Sequence, residues 1–382
     1  MGKRLVICFD GTWNAADSGS EETNVAKLSR AIPGSDRDGT LQTVLYLRGV
    51  GTGGLTDRVL GGAFGEGVES NLRSGYMFIA QNYAPGDDIF LFGFSRGAFT
   101  ARSLSGFIGA SGLLKRGCLD EIASAWDYYR TKPSQRPGHP YEARKDSSCV
   151  RDVRIKCVGV WDTVGALGVP GDVFRSLTRN RFGFHDTQPS HIIDNAFHAV
   201  AIDEKRGAFV PTLWTLPPED RTDTGQDRIE QVWFPGVHSD VGGGYAGPKP
   251  LSDIPLLWMA DRASECGLGI DFGMLPSREG LDPLAPLHES RKMLSYSALD
   301  FARPTLRAIF GLDFAHAFNE KVYRPRDEQG RLLTTVGERL HHSALARFFR
   351  NAPGATGEVE YKPENLVPAA ERARQDPSLV AD

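Results

Sequence analysis

Ser95 stands at the centre of Gly93-Phe94-Ser95-Arg96-Gly97, a G-x-S-x-G pentapeptide between the apolar run Ile89-Phe90-Leu91-Phe92 and the helix-compatible Ala98-Phe99-Thr100-Ala101-Arg102. Strand, sharp turn and helix are the setting that holds such a serine proud of a sheet with its hydroxyl open to attack an acyl carbon. The helix that follows points its first amides at the place where an oxyanion develops. Without that chemistry the same pentapeptide is a glycine-lined turn with a helix-capping serine.

A serine hydroxyl attacks well only when a base removes its proton and a carboxylate orients that base. Of the nine histidines, His238 is the best placed. It follows the strand-like Ile229–Phe234 and opens His238-Ser239-Asp240-Val241-Gly242-Gly243-Gly244-Tyr245, whose glycines permit close backbone approach. His185, His191 and His198 fall in stretches that read as helix or loop, where a surface or packing role suffices. For the acid, Asp162 at the end of Val158-Gly159-Val160-Trp161 keeps the chain order Ser, Asp, His. Asp203 and Asp240 are its rivals, and spacing alone leaves the choice among the three open.

An oxyanion hole of this type takes one amide from the residue after the nucleophile, here Arg96, and one from the loop after an earlier strand. Asp10-Gly11-Thr12-Trp13-Asn14 is that loop. Gly11 or Thr12 is the candidate second donor and Asp10 a candidate brace; the bland alternative is an ordinary Asp-Gly turn.

These side chains need a rigid sheet to hold them. Runs at Arg4–Phe9, Thr43–Arg48, Asp88–Phe92, Val153–Trp161 and Ile229–Phe234 read as strands, with room for an amphipathic helix over Glu66–Tyr83, long enough for a parallel crossover. All five strands end in polar, glycine-containing loops, and ligands of open α/β sheets bind at that edge. The expectation is a single α/β domain over residues 1–382: a mostly parallel central sheet with helices on both faces. Its core spans about 1–260, cap-like insertions about 116–150 and 168–190, and a helical, polar extension about 261–382.

Four ordered blocks carry a family likeness: Phe9-Asp10-Gly11-Thr12-Trp13-Asn14, Gly93-Phe94-Ser95-Arg96-Gly97-Ala98, Trp161-Asp162-Thr163-Val164-Gly165 and His238 through Tyr245. With His198-Ala199-Val200-Ala201-Ile202-Asp203-Glu204 and Phe209-Val210-Pro211, they resemble the bacterial and fungal α/β-hydrolase domain family, largely of unknown function, that includes type VI secretion phospholipase effectors of the Tle type. The resemblance spans roughly residues 5–250. It implies the α/β-hydrolase fold, a Ser95, Asp162, His238 triad and hydrolysis of carboxylic esters, with phospholipids the best-known substrates.

The 44 Lys plus Arg against 48 Asp plus Glu leave a net charge of −4, with no basic field for nucleic acid. The five cysteines are scattered, never in C-x-x-C spacing, which speaks against a disulfide framework or a zinc site and for a reducing compartment. No signal peptide is read before the strand at Leu5, and no apolar run reaches the 18 residues of a spanning helix. The expected location is cytoplasmic, or outside by a signal-peptide-independent route; peripheral membrane contact stays open. The insertion Gly168–Ser190 offers Val169, Val173, Phe174, Leu177, Phe182 and Phe184 for an acyl-chain wall and Arg175, Arg179 and Arg181 for a phosphate, or plain packing plus solvated charge.

Three other readings compete. Gly49-Val50-Gly51-Thr52-Gly53-Gly54 matches G-x-G-x-x-G after a strand, but Gly61, Gly62, Gly65 and Gly67 interrupt the helix a dinucleotide site needs. Cys8-Phe9-Asp10-Gly11-Thr12 resembles the first motif of haloacid-dehalogenase-type phosphatases, D-x-D-G-T, with Cys8 where the nucleophilic Asp belongs. A catalytically idle binding module on a hydrolase scaffold would have no reason to keep nucleophile, base, acid and oxyanion loop together. A serine esterase or lipase needing no metal or organic cofactor is the expected function, with a small-molecule esterase or thioesterase as the alternative.

Overall fold

A computed structural model describes residues 2–11, 22–49, 61–165, 189–216, 228–247, 250–290, 303–327, 329–348, 350–354 and 357–382. Thr12, most of the Gly49–Gly54 loop and nearly all of 168–190 lie outside the described residues.

Eight described strands form one sheet: β1 Arg4–Phe9, β2 Gln42–Leu47, β3 Asp88–Phe94, β4 Ile155–Trp161, β5 Ile193–Ala201, β6 Ile229–Phe234, β7 Glu338–His341 and β8 Val380–Ala381. Their order is β2-β1-β3-β4-β5-β6-β7-β8, and every pairing is parallel. Helices around it include α1 Asn24–Arg30, α2 Gly61–Asn82, α3 Arg96–Ser111, α4 Ile122–Arg130, α5 His238–Gly242, α6 Pro250–Glu265, α7 His342–Arg347 and α8 Leu366–Gln375. This is the α/β-hydrolase architecture, a parallel sheet with helices on both faces. Among the described residues no helix is long and apolar enough to cross a membrane.

A sheet covered on both faces needs apolar residues at odd and even strand positions alike. Along β1, Leu5, Ile7 and Phe9 face a core that holds Tyr76 of α2, Leu104 and Phe107 of α3 and Trp126 of α4. Val6 and Cys8 face the opposite core with Phe90, Phe92, Trp161 and the Leu256, Trp258 and Met259 cluster of α6. A third core joins Val200 and Trp233 to Leu340, Ala344 and the Ala369, Ala370 and Ala373 stripe of α8.

Two stretches differ from their sequence reading. The segment after 261 supplies β7 and β8, so it extends the central sheet; β7 pairs with β6 and β8 with β7. Residues 116–150, expected as a cap-like insertion, put Trp126, Tyr129 and Tyr141 into the first core. In both, short elements are held by tertiary contacts that local composition does not announce.

The strand order reverses direction around β1, with β2 on one side and β3 on the other. The crevice outside the carboxyl ends of strands at such a switch point is where open α/β sheets hold ligands. Asp10 and Gly11 follow β1 there, and Ser95 follows β3.

Candidate active site

The chain turns from β3 into α3 within one residue. Ser95 takes φ 58°, ψ −121°, a region that strains an L-residue and survives only where the surroundings impose it. They do: Ser95 N–H donates to Trp161 O at 3.0 Å, tying the turn to the end of β4. The flanking glycines make room. A Cβ on Gly97 would run into the Phe9 and Asp10 carbonyls, and one on Gly93 into the Gly97 carbonyl, so the pentapeptide's glycines follow from backbone approach.

His238 begins α5, directly after the loop that leaves β6. Its Nε2 lies 2.8 Å from Ser95 Oγ and its Nδ1 2.6 Å from Asp162 Oδ2. The ring packs between Phe94, centroids 4.6 Å apart, and Phe209 at 4.8 Å, edge to face. Ser95 is 5% exposed, His238 4% and Asp162 not at all, so the three groups interact in a largely dry environment. The order Ser95 Oγ, His238, Asp162 is the hydrogen-bonded chain of a Ser-His-Asp triad, and such a chain can move a proton off the serine as it attacks.

Asp162 also has a positive φ, 36°, which aims its carboxylate back across the strand ends. Its Oδ1 accepts Ala201 N–H at 3.0 Å and Arg307 Nη1 at 2.6 Å, and its Oδ2 accepts Arg307 Nη2 at 3.0 Å. Burial by itself would push this carboxyl up; Arg307 and the bond to His238 outweigh it and hold Asp162 well below the usual carboxylate range. Burial dominates at His238, lowering its pKa against the opposing pull of Asp162, so the imidazole is neutral and ready to accept a proton near pH 7.

The rival acids brace the loop that carries His238. Asp203 Oδ2 accepts Gly236 N–H at 2.6 Å and Tyr361 OH at 2.8 Å, while its own N–H reaches Gly236 O at 3.0 Å. Asp240 Oδ2 accepts Val237 N–H at 3.0 Å, and its Oδ1 pairs with His288 Nδ1 at 2.6 Å. Glu204 Oε2 accepts His238 N–H at 3.2 Å and is itself clasped by Arg206 at 2.8 Å. His198, expected in helix or loop, lies on β5, fully buried between Thr163 N–H (3.0 Å) and Gln231 Oε1 (3.3 Å). Burial pushes it down to about 3, which makes it a neutral structural group.

At the oxyanion side, Arg96 is the first residue of α3, so its amide belongs to the helix's first turn. Gly11 N–H donates to Asp10 Oδ1 at 2.6 Å. Asp10 is buried and also accepts Thr23 Oγ1 at 2.8 Å and the Tyr46 hydroxyl; burial raises its pKa in spite of those bonds.

Sequence reading missed Arg307 and Glu204. Glu204 sits in a block that carries the family likeness, so that signal was present. Arg307 lies in a stretch of mixed composition without a motif.

The family model for the type VI secretion system phospholipase effector Tle1-like catalytic domain matches residues 3–262, more than half of the chain. An uncharacterized protein of Saccharomyces cerevisiae is 30% identical over 240 residues, an alignment covering 57% of this chain and 33% of that protein. The chain thus spans about a third of that relative's length. A crystal structure of an uncharacterized Pseudomonas aeruginosa protein shares 18% identity at a TM-score of 0.45, covering 73% of this chain and 48% of that one. The Tle1 effector bound to the VgrG spike of a type VI secretion system shares 17% at 0.42, covering 73% and 75%. With the triad geometry and the family match together, the chain carries the Ser-His-Asp machinery of a serine hydrolase, and it belongs to the Tle1-like family of type VI secretion phospholipase-effector catalytic domains.

Proposed function

We propose that the chain cleaves carboxylic ester bonds of phospholipids through an acyl-enzyme on Ser95. The observation that carries this reading is the unbroken relay from Ser95 Oγ through His238 to Asp162, at 2.8 and 2.6 Å, within a chain of this family. His238 Nε2 takes the Ser95 proton as Oγ attacks the ester carbonyl, and Asp162 holds Nδ1–H and balances the imidazolium. The Arg96 amide and a second amide from Gly11 or Thr12 stabilise the tetrahedral oxyanion, each worth ~3 kcal/mol. Gly11 serves only if its N–H leaves Asp10, which favours Thr12. His238 then protonates the departing alcohol, and water, activated by the same imidazole, releases the fatty acid.

The phospholipid substrate is supported by the family description, and the same description favours action after export by a signal-peptide-independent route from the cytoplasm where it is made. The test incubates wild type and Ser95→Ala with phosphatidylethanolamine and phosphatidylglycerol vesicles and a water-soluble short-chain ester, and reads products by mass spectrometry. Lysophospholipid and fatty acid from wild type alone support the reading. Cleavage of the short ester alone replaces it with a small-molecule esterase, and equal activity of Ser95→Ala removes Ser95 from the mechanism.

A further inference from the structure

We infer that Arg307, which lies beyond the family-matched residues 3–262, is the positioning residue that fixes the orientation and charge of the Asp162 carboxylate, so that the C-terminal part of the chain completes the active site. The inference rests on the serine-hydrolase reading and adds a component to it.

Arg307 is 1% exposed and its guanidinium grips Asp162 with both Nη atoms, the fork-on-carboxylate arrangement that fixes a plane as well as a charge. With Ala201 N–H on Oδ1, three donors hold the carboxylate and leave an Oδ2 lone pair for His238 Nδ1–H. The fork is itself anchored: Nη1 donates to Ala201 O at 2.7 Å and Nη2 to Phe209 O at 2.5 Å. Behind it, Thr305–Arg307 pairs with Lys321–Tyr323, and Asn365 Nδ2 joins Arg307 O (3.0 Å) to Ile202 O (3.2 Å).

Among the described residues, the other titratable and charged groups around the relay are Glu204 and Arg206 after β5, His198 on β5 and, acting on His198, Arg102 on α3. Glu204 and Arg206 compensate each other, and His198 is neutral. Arg307 is the cation in contact with Asp162. Without it, burial would favour a protonated Asp162, whose O–H would donate to Nδ1 and so leave the wrong imidazole tautomer, with Nε2–H, facing Ser95.

The test measures the rate at which a fluorophosphonate labels Ser95, mapped by peptide mass spectrometry from pH 5 to 9, in full-length wild type, Arg307→Gln and Arg307→Lys checked for folding by circular dichroism. The inference expects Arg307→Gln to label about 10²-fold more slowly at pH 7. Its acid midpoint should move up by about one pH unit, because the buried Asp162–His238 couple then keeps its proton to higher pH. Arg307→Lys restores the midpoint while staying slow, since the charge returns without the fork. A folded Arg307→Gln with wild-type rate and midpoint overturns it, as does an equal, pH-independent loss in both variants. Where Arg307→Gln does not fold, the downfield proton resonance of His238 Nδ1 in Arg307→Lys decides: displaced, the inference holds; unmoved, it fails. A wild type that is not labelled at Ser95 overturns the hydrolase reading and this inference with it.

Discussion

Asp162 is gripped from two parts of the chain that differ in kind. On one side His238 meets it from a glycine-rich block within residues 3–262, the part the family model matches. On the other, Arg307 meets it from a segment that carries no motif, behind which Asn365 and Tyr361 lock the same loops. The first part announces itself because catalysis demands particular residue types at particular turns. The second does its work with single buried side chains of ordinary type, in which only the three-dimensional partner reveals the role.

The sharpest break of this comparison is at the acid. Asp162→Asn should lower kcat/KM on a soluble ester about 10⁴-fold, because the amide stabilises the wrong imidazole tautomer. Asp203→Asn and Asp240→Asn, which brace the His238 loop through acceptor oxygens, should each cost less than about tenfold. Equal losses at all three positions would dissolve the distinction between acid and brace.

The second part also carries stability. Leu340 is fully buried where β7 meets β6, so Leu340→Ala should lower unfolding free energy by about 2–5 kcal/mol, measured by urea denaturation. A loss below about 1 kcal/mol would mean that the sheet is complete without β7.

Asp203 gives a pH test of the same interface. Burial pushes its carboxyl up to about 6 against its bonds from Gly236 and Tyr361. The folded state therefore binds this proton more tightly than the unfolded chain, and the contribution to stability is lost as pH rises from about 4, the unfolded value, to about 6. Asn keeps an acceptor for both donors and has no proton to lose. Asp203→Asn should be more stable than wild type by about 1–2 kcal/mol at pH 8, with the gap closing towards pH 4, as thermal melts at both pH values would read.

A smaller effect separates His238 from His198. Activity needs neutral His238, whose pKa is lowered chiefly by burial, so the acid limb of kcat/KM should lie below the ordinary histidine range. His198→Gln should leave that limb in place, as His198 stays neutral throughout.

The legibility of the chain follows the same division. β1, β3 and β4 are visible because each is a largely apolar run buried on both faces, β6 because Val232-Trp233-Phe234 leads into the His238 block, and the Ser95 turn because it joins such a run to a helix. β5 is not, because Asp194, Asn195 and His198 break its apolar pattern, and His198, the buried one of the three, is satisfied by partners distant in sequence, Thr163 and Gln231. β7 is four residues long and carries Glu338 and Arg339, and β8 is two; pairing across the sheet, not local preference, makes them strands. Ser95, His238 and Asp162 were named from type and order. The choice of Asp162 over Asp203 and Asp240 came from geometry, because three aspartates near the ends of neighbouring strands look alike until their donors are known.

The most direct test of the account traps the intermediate. Wild type turning over a p-nitrophenyl ester is quenched in acid, and its intact mass and peptides are measured. The account predicts one acyl group, mapped to Ser95, in wild type and none in Ser95→Ala, which should also turn over about 10⁶-fold more slowly. An acyl group on another residue, or undiminished turnover by Ser95→Ala, would contradict it.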